Sequence, residues 1–386
     1  MKKDRSLEVA RSRRRRVPGW AAVVAVALLL AAACGDDDDG GAAATTTAAG
    51  GTATTAAQST ETTLEPVDPL KITIGSASEL YAATWVALGN GLFEKHGVEV
   101  EVTGYDGVQS GLAQLSADQI DLFLFTPVLG LNLAKEDIDV SFVYRFSDLD
   151  YHFASFATIP EITSFDQLKA LGSDCRLATA SVGTSMYAIA LAFSEAYQLD
   201  CELVPQAGAT LQVPALASGD VQAAVVLNTP AFTAAEQGVL NLLYDPRTVT
   251  EAEGKKVLAE SYPHIIAVGK TGTLESKRES VVRFISALQE GSEVVQSSTP
   301  EELTEIAQKV EPFATVDAAK AAASWAIIQG MIPDRPDPGR ITEDDWNALL
   351  QGLVKWGAEG IDPADPKLSY DAVVDMSYFD EAAARA

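Results

Sequence analysis

One pattern is written twice in this chain. Leu115-Ser116-Ala117-Asp118-Gln119-Ile120-Asp121-Leu122 runs into an apolar stretch and then Thr126-Pro127, while Leu216-Ala217-Ser218-Gly219-Asp220-Val221-Gln222-Ala223 runs into another and then Thr229-Pro230. Each copy reads as a helix end, a turn, a strand and a new helix. In both, the Thr is placed to cap a helix that starts on Pro, where the missing N–H costs nothing. A chain built this way is expected to fold into two lobes of similar design, each with a helix N-terminus at the carboxyl end of a strand.

Short β-branched runs support that expectation. Lys71 to Ile74, Glu99 to Thr103, Leu122 to Phe125, Arg176 to Ala180, Glu202 to Pro205 and Ala223 to Leu227 read as strands, separated by helix-period segments. The alternation predicts an α/β fold of βαβ units with parallel sheets. Ser164 followed by Gln167 predicts a capping box on a helix at Phe165 to Leu171. After about Ile265 the pattern is helical almost throughout, with helix starts at Thr299-Pro300-Glu301-Glu302 and Thr342-Glu343-Asp344-Asp345. Trp325, Trp346 and Trp356 fall in these helices and read as packing anchors rather than ligand platforms.

The front of the chain is of a different kind. Lys2, Lys3, Arg5, Arg11 and Arg13 to Arg16 precede an apolar stretch from Ala21 to Ala33, then Cys34, Gly35 and four aspartates. This opening resembles a bacterial lipoprotein signal, which implies cleavage of residues 1–33, acylation of Cys34 by palmitate-type chains and anchorage outside the cytoplasm. The apolar stretch is short for a permanent span. Ala31 stands where such signals usually carry a large aliphatic residue. From Cys34 to Pro69 the chain is mostly Ala, Thr, Gly and Asp, the composition of an unstructured spacer.

Residues 1–33 hold eight of the 28 basic and two of the 54 acidic side chains, so the remainder carries 20 against 52, a formal charge of about −32. Nucleic acid is excluded as a partner by that charge. Outside the cytoplasm, with Cys34 acylated, Cys175 and Cys201 are left as an even pair. A disulfide is expected of them, and two buried free thiols are the alternative.

No motif for catalysis appears. His96, His152 and His264 share no metal-ligand spacing, no Gly-x-Ser-x-Gly elbow occurs, and Gly269-Lys270-Thr271 lacks the preceding glycine of a phosphate loop. The chain is read as a non-enzyme without cofactor or metal.

Tyr81-Ala-Ala-Thr-Trp85-Val-Ala87-Leu-Gly-Asn-Gly91-Leu-Phe93-Glu94-Lys95-His96-Gly97-Val-Glu-Val100 resembles the opening of nitrate-, sulfonate- and taurine-type solute-binding proteins of ABC importers. Asp106-Gly107, the Ile120-Asp121 turn and Ile162-Thr-Ser164-Phe-Asp166-Gln-Leu168 follow in the family's order. The resemblance implies a type II periplasmic-binding-protein fold, two lobes joined by a two-segment hinge. Residues 70–150 would begin lobe one, 151–262 would form lobe two, and 263–386 would return to lobe one and add C-terminal helices. The crossings are expected near Arg145 to Phe156 and Tyr262 to Val268. It also implies a monomer that captures a small solute (sulfonate, taurine or nitrate, with a pyrimidine, thiamine-precursor or flavin-like heterocycle as the alternative) and passes it to a permease and its ATPase, with a membrane-tethered sensor or a non-transport enzyme of the same fold as lesser alternatives.

Ligands in open parallel sheets collect beyond the carboxyl ends of the strands. That rule nominates Ser76, Ser78, Glu79, Tyr81, Gln109 and Thr126 from the first lobe. From the second it nominates Ser181, Gly183, Thr184, Ser185, Asn228 and Thr229. Ser181 to Ser185 precede a helix, so their N–H groups are suited to an anionic or strongly polar group, although Ser and Thr there also serve as ordinary caps. Glu79 would repel nitrate or a sulfonate and suits an amine. Arg145 and His152 read as a source of positive charge or as solvated strand ends, and Tyr81 and Tyr151 as an apolar wall.

Overall fold

The computed structural model describes residues 64–75, 77–104, 108–208, 210–333, 335–358 and 360–385. The leader, Cys34, the spacer through 63 and Ser76 lie outside the described residues.

Ten strands occur among the described residues: β1 (Leu70–Ile74), β2 (Val100–Gly104), β3 (Leu122–Phe125), β4 (Val140–Leu149), β5 (Ala154–Thr158), β6 (Arg176–Thr179), β7 (Glu202–Pro205), β8 (Ala223–Leu227), β9 (Asn241–Tyr244) and β10 (Tyr262–Lys270). They form two five-stranded sheets of matching design, ordered β2-β1-β3-β10-β4 and β7-β6-β8-β5-β9. The two copies of the repeated pattern, β3 and β8, hold the same central place in their sheets.

Both sheets are mixed, which corrects the expectation of parallel ones. β1, β2 and β3 run parallel, as do β6, β7 and β8, but β10 is antiparallel to β3 and β4, and β5 is antiparallel to β8 and β9. The reason is connectivity. β5 arrives from the first sheet and β10 from the second, so each enters its sheet at the end where the parallel strands leave, and must run against them. The segments expected to be crossings are themselves largely strand, since β4 and β10 pair from Leu149 and Tyr262 to Val140 and Lys270. The chain passes to the second sheet through 150–153 and returns through 245–261, which includes the helix Glu251–Val257.

The six strands read from sequence lie within one residue of their observed bounds. Those missed, β4, β5, β9 and β10, include the two longest. β10 is buried along almost its whole length and β5 throughout, so neither shows the alternation that marks a half-exposed strand. The cysteines open neighbouring parallel strands, where Arg176 pairs with Glu202, and Cys175 and Cys201 are disulfide-bonded with their Cα atoms 4.5 Å apart.

Helices cover the sheets. The longest, Arg278–Ser297, buries Val281, Val282, Phe284, Ile285 and Leu288 and packs along Ala82–Gly89. Gly291 permits the close approach, because a Cβ there would stand 2.7 Å from the Ala83 carbonyl oxygen. Capping boxes form at Thr299 with Glu302 and at Thr342 with Asp345. At Ser164 only half of the expected box forms. Its hydroxyl accepts from Gln167 N, but the Gln167 side chain accepts from Thr163 N instead of reaching the cap residue. Trp325 and Trp346 are fully buried. No described helix is long and apolar enough to cross a membrane.

Candidate functional site

The carboxyl ends of β3 and β6 meet at a narrow cleft of about 10 Å³, room for about one water molecule. Thr126 comes to it from the first sheet, and Gly183, Thr184, Ser185 and Ala188 come from the second; Tyr262, Leu353, Trp356 and Ala358 close the remaining side. Four residues nominated from sequence are thus brought together from positions far apart in the chain. Tyr262, Leu353 and Trp356 were missed, and in sequence they carry only the signature of core residues.

The loop after β6 is held by its own hydrogen bonds. Thr184 Oγ1 donates to the Ser181 carbonyl at 2.7 Å and accepts from Tyr187 N at 3.4 Å, capping the helix Ser185–Tyr197. The Ser181 hydroxyl donates to the Gln206 carbonyl at 3.1 Å, tying this loop to the one after β7. Gly183 has φ +82°, and a Cβ there would meet nothing within 4 Å. It is the backbone conformation, not crowding, that calls for glycine. The first-turn N–H groups of this thirteen-residue helix point toward the cleft end of β6.

The two Thr-Pro pairs do not act as caps. The helix Val128–Lys135 has no side-chain cap, and Thr126 is buried at the cleft. Thr229 lies inside the first turn of the helix Asn228–Glu236. Its hydroxyl donates to Glu79 Oε1 at 3.0 Å, from the second lobe to the first, and also meets Ser324 Oγ of the helix Ala318–Met331. A second rung joins the same two helices where Lys320 Nζ stands 3.2 Å from Glu236 Oε2. Ser324 was not foreseen, since a serine in the middle of a helix carries no sequence signal of a role.

Glu79 is 8% exposed. Burial pushes its carboxyl pKa up, opposed by hydrogen bonds from its own backbone and from Thr229. No cationic side chain among the described residues pairs with it. Ser78 is buried beside it, and its carbonyl accepts from Trp85 Nε1 at 2.6 Å. Tyr81 is fully buried with its ring 6.4 Å from Trp85 and 6.2 Å from Phe146, so it belongs to the packed interior of the first lobe.

Asn228 has both ends of its amide occupied. Oδ1 accepts from Ser155 at 3.1 Å and Nδ2 donates to the His152 carbonyl at 2.9 Å, which pins the crossing segment to the second lobe. Tyr151 packs against His152 and fills the space above Gly254. Gln109 falls in the helix Val108–Ser116.

Arg145 is not a solvated strand end but a buried one. Its Nη1 stands 3.2 Å from Asp345 and 3.4 Å from Asp148, and its Nε donates to the Pro338 carbonyl at 3.1 Å. Arg335 joins Asp345 from the other side at 3.0 Å. Burial pushes Asp148 up to about 6 against the pull of Arg145. His152 pairs with Asp150 at 3.0 Å. No group of three or more His, Cys, Asp or Glu side chains able to hold a metal occurs among the described residues.

Solved structures share this architecture. A ligand-binding component of an ABC-type import system from Staphylococcus aureus, solved with zinc bound, superposes with a TM-score of 0.65 at 11% identity, covering 82% of this chain and 99% of its own. The periplasmic nitrate-binding protein of Synechocystis PCC 6803 gives 0.59 at 14%, covering 83% and 89%. The alkanesulfonate-binding protein of Xanthomonas axonopodis pv. citri, solved with MOPS bound, gives 0.59 at 14%, covering 80% and 100%.

The chain has the type II periplasmic-binding-protein fold. These neighbours are binding proteins of the kinds that the sequence resembles. No protein-family model and no curated protein matches the sequence.

Proposed function

We propose that this protein is the extracytoplasmic solute-binding component of an ABC importer, tethered by lipid on Cys34 and lifted from the membrane by the Ala/Thr/Gly spacer. It acts as a two-lobed clamp. A small polar solute enters between the lobes and is held at the carboxyl ends of the strands, and the closed form is what the permease recognises. The candidate contacts are Thr126 and Glu79 from one lobe, and Gly183, Thr184, Ser185 and Thr229 from the other.

The observation that carries this reading is the convergence of Thr126 with Gly183 to Ser185 on one cleft between sheets of matching design. Binding that uses both lobes favours the closed arrangement, because only there are all contacts made at once. The neighbours' roles in import, and the lipoprotein-like leader, support the same reading.

The test is small-angle X-ray scattering together with thermal unfolding of the purified protein against a broad panel of amines, sulfonates, nitrate, sugars and heterocycles. One class should contract the particle and stabilise it by about 2.7 kcal/mol at 100-fold over the dissociation constant. A protein whose dimensions and melting temperature respond to no solute would not be a clamp of this kind.

A further inference from the structure

The charge lining the cleft favours one class of solute. The described residues that follow the carboxyl ends of the parallel strands are 75 and 77–81, 108–110, 126–128, 180–185, 206–208 with 210–211, and 228–230, and of these Thr126 and 183–185 line the cleft itself. None of these residues is Lys, Arg or His, while Glu79 is acidic. The cations at the margins are already committed. Arg145 is enclosed by Asp148 and Asp345, Arg247 forks onto Asp245 and lies over the Phe232 ring, His152 pairs with Asp150, and Lys355 lies over the Trp356 ring.

Glu79 is the exception. It is a carboxylate removed from water where the Thr229 hydroxyl of the second lobe meets the first, and its donors, its own backbone and Thr229, are neutral. A buried carboxylate holding two neutral hydrogen bonds, of about four that its oxygens can accept, has acceptor capacity left over. It is costly to keep charged unless a donor or cation arrives.

Resting on the reading of the protein as a solute clamp, we infer that the solute bears a protonated amine or an equivalent N–H donor, which Glu79 receives between the lobes. An oxyanion such as nitrate or a sulfonate would find no cationic side chain in these loops and a carboxylate in its place. The hydroxyls of Thr126, Thr184 and Ser185 and the helix N–H groups serve the polar remainder of the solute, and Leu353 and Trp356 its apolar flank.

The experiment is a titration of the purified full chain with putrescine, agmatine and 2-aminomethylpyridine, and in parallel with ethanesulfonate and nitrate, followed by melting temperature and tryptophan fluorescence. It is repeated on Glu79→Gln and Thr229→Val. The expected result is binding of at least one amine, weakened by about tenfold or more in Glu79→Gln, as for a lost charge-assisted bond. Thr229→Val, which keeps the carboxylate, should weaken it by less.

Equal loss in both variants would make Glu79 only a contact between the lobes and would overturn the assignment. So would binding of ethanesulfonate or nitrate that Glu79→Gln leaves intact or improves, or a lack of response to every amine. In those cases a contraction caused by any other solute of the broader panel would leave the clamp itself standing.

Discussion

Arg145 and Glu79 are both ionisable side chains buried near the boundary between the lobes, and they are treated in opposite ways. Arg145, 2% exposed, is surrounded by two carboxylates, a backbone carbonyl and a second arginine that balances the surplus. Glu79 has its own backbone, the Thr229 hydroxyl and no counter-ion among the described residues. A compensated charge joins β4 to the helix Glu343–Lys355 and reads as architecture. An uncompensated one reads as a place kept for something that binds.

The comparison is broken most forcefully at Arg145. Arg145→Ala strands Asp148 in the interior, leaves Asp345 to Arg335 alone, and is expected to cost about 3–5 kcal/mol in denaturant unfolding. A loss below about 1 kcal/mol would mean that the network is slack and that the contrast with Glu79 is not real.

A middle-sized effect lies in the pH dependence. Asp148 has a folded pKa of about 6 against an ordinary 3.8, so the folded state holds its proton more tightly than the unfolded state does. Stability is therefore retained below the unfolded value and falls as pH rises from about 4 to about 6. The upper bound for a shift of this size is about 3 kcal/mol. Asp148→Asn should flatten that stretch of the stability-against-pH curve, and an unchanged slope would assign it to another group.

The smallest effect, and the sharpest, belongs to Glu79→Gln. With no counter-ion to lose and a desolvated charge removed, the variant is expected to be as stable as the wild type, or more stable by about 1 kcal/mol, at neutral pH. A destabilisation like that of Arg145→Ala would place Glu79 in the architecture.

Much of the frame was legible beforehand. β3, β7 and β8 were read to the residue, because their runs of branched and aromatic side chains are bounded by turn residues on both sides. The boxes at Thr299 and Thr342 were read because a cap and its partner sit three residues apart. The disulfide was expected from the even cysteine count and the compartment that the leader implies. The strands that cross between the lobes were not read as strands, since residues buried on both faces show no period. Of the cleft, the sequence pointed to Thr126 and the loop after β6, but gave no sign of Tyr262, Leu353 or Trp356.

What the sequence determined by itself is therefore local: which segments extend or coil, where helices begin, and that one strand-to-helix unit occurs in two copies. The rest belonged to the tertiary structure. It turned β5 and β10 against their neighbours, took the Thr229 hydroxyl from the helix it was expected to cap, and surrounded Arg145 with carboxylates. The physical reason is separation along the chain. Thr229 meets Glu79 across 150 residues and Ser324 across 95, and no local preference encodes a partner that only the tertiary fold brings within reach.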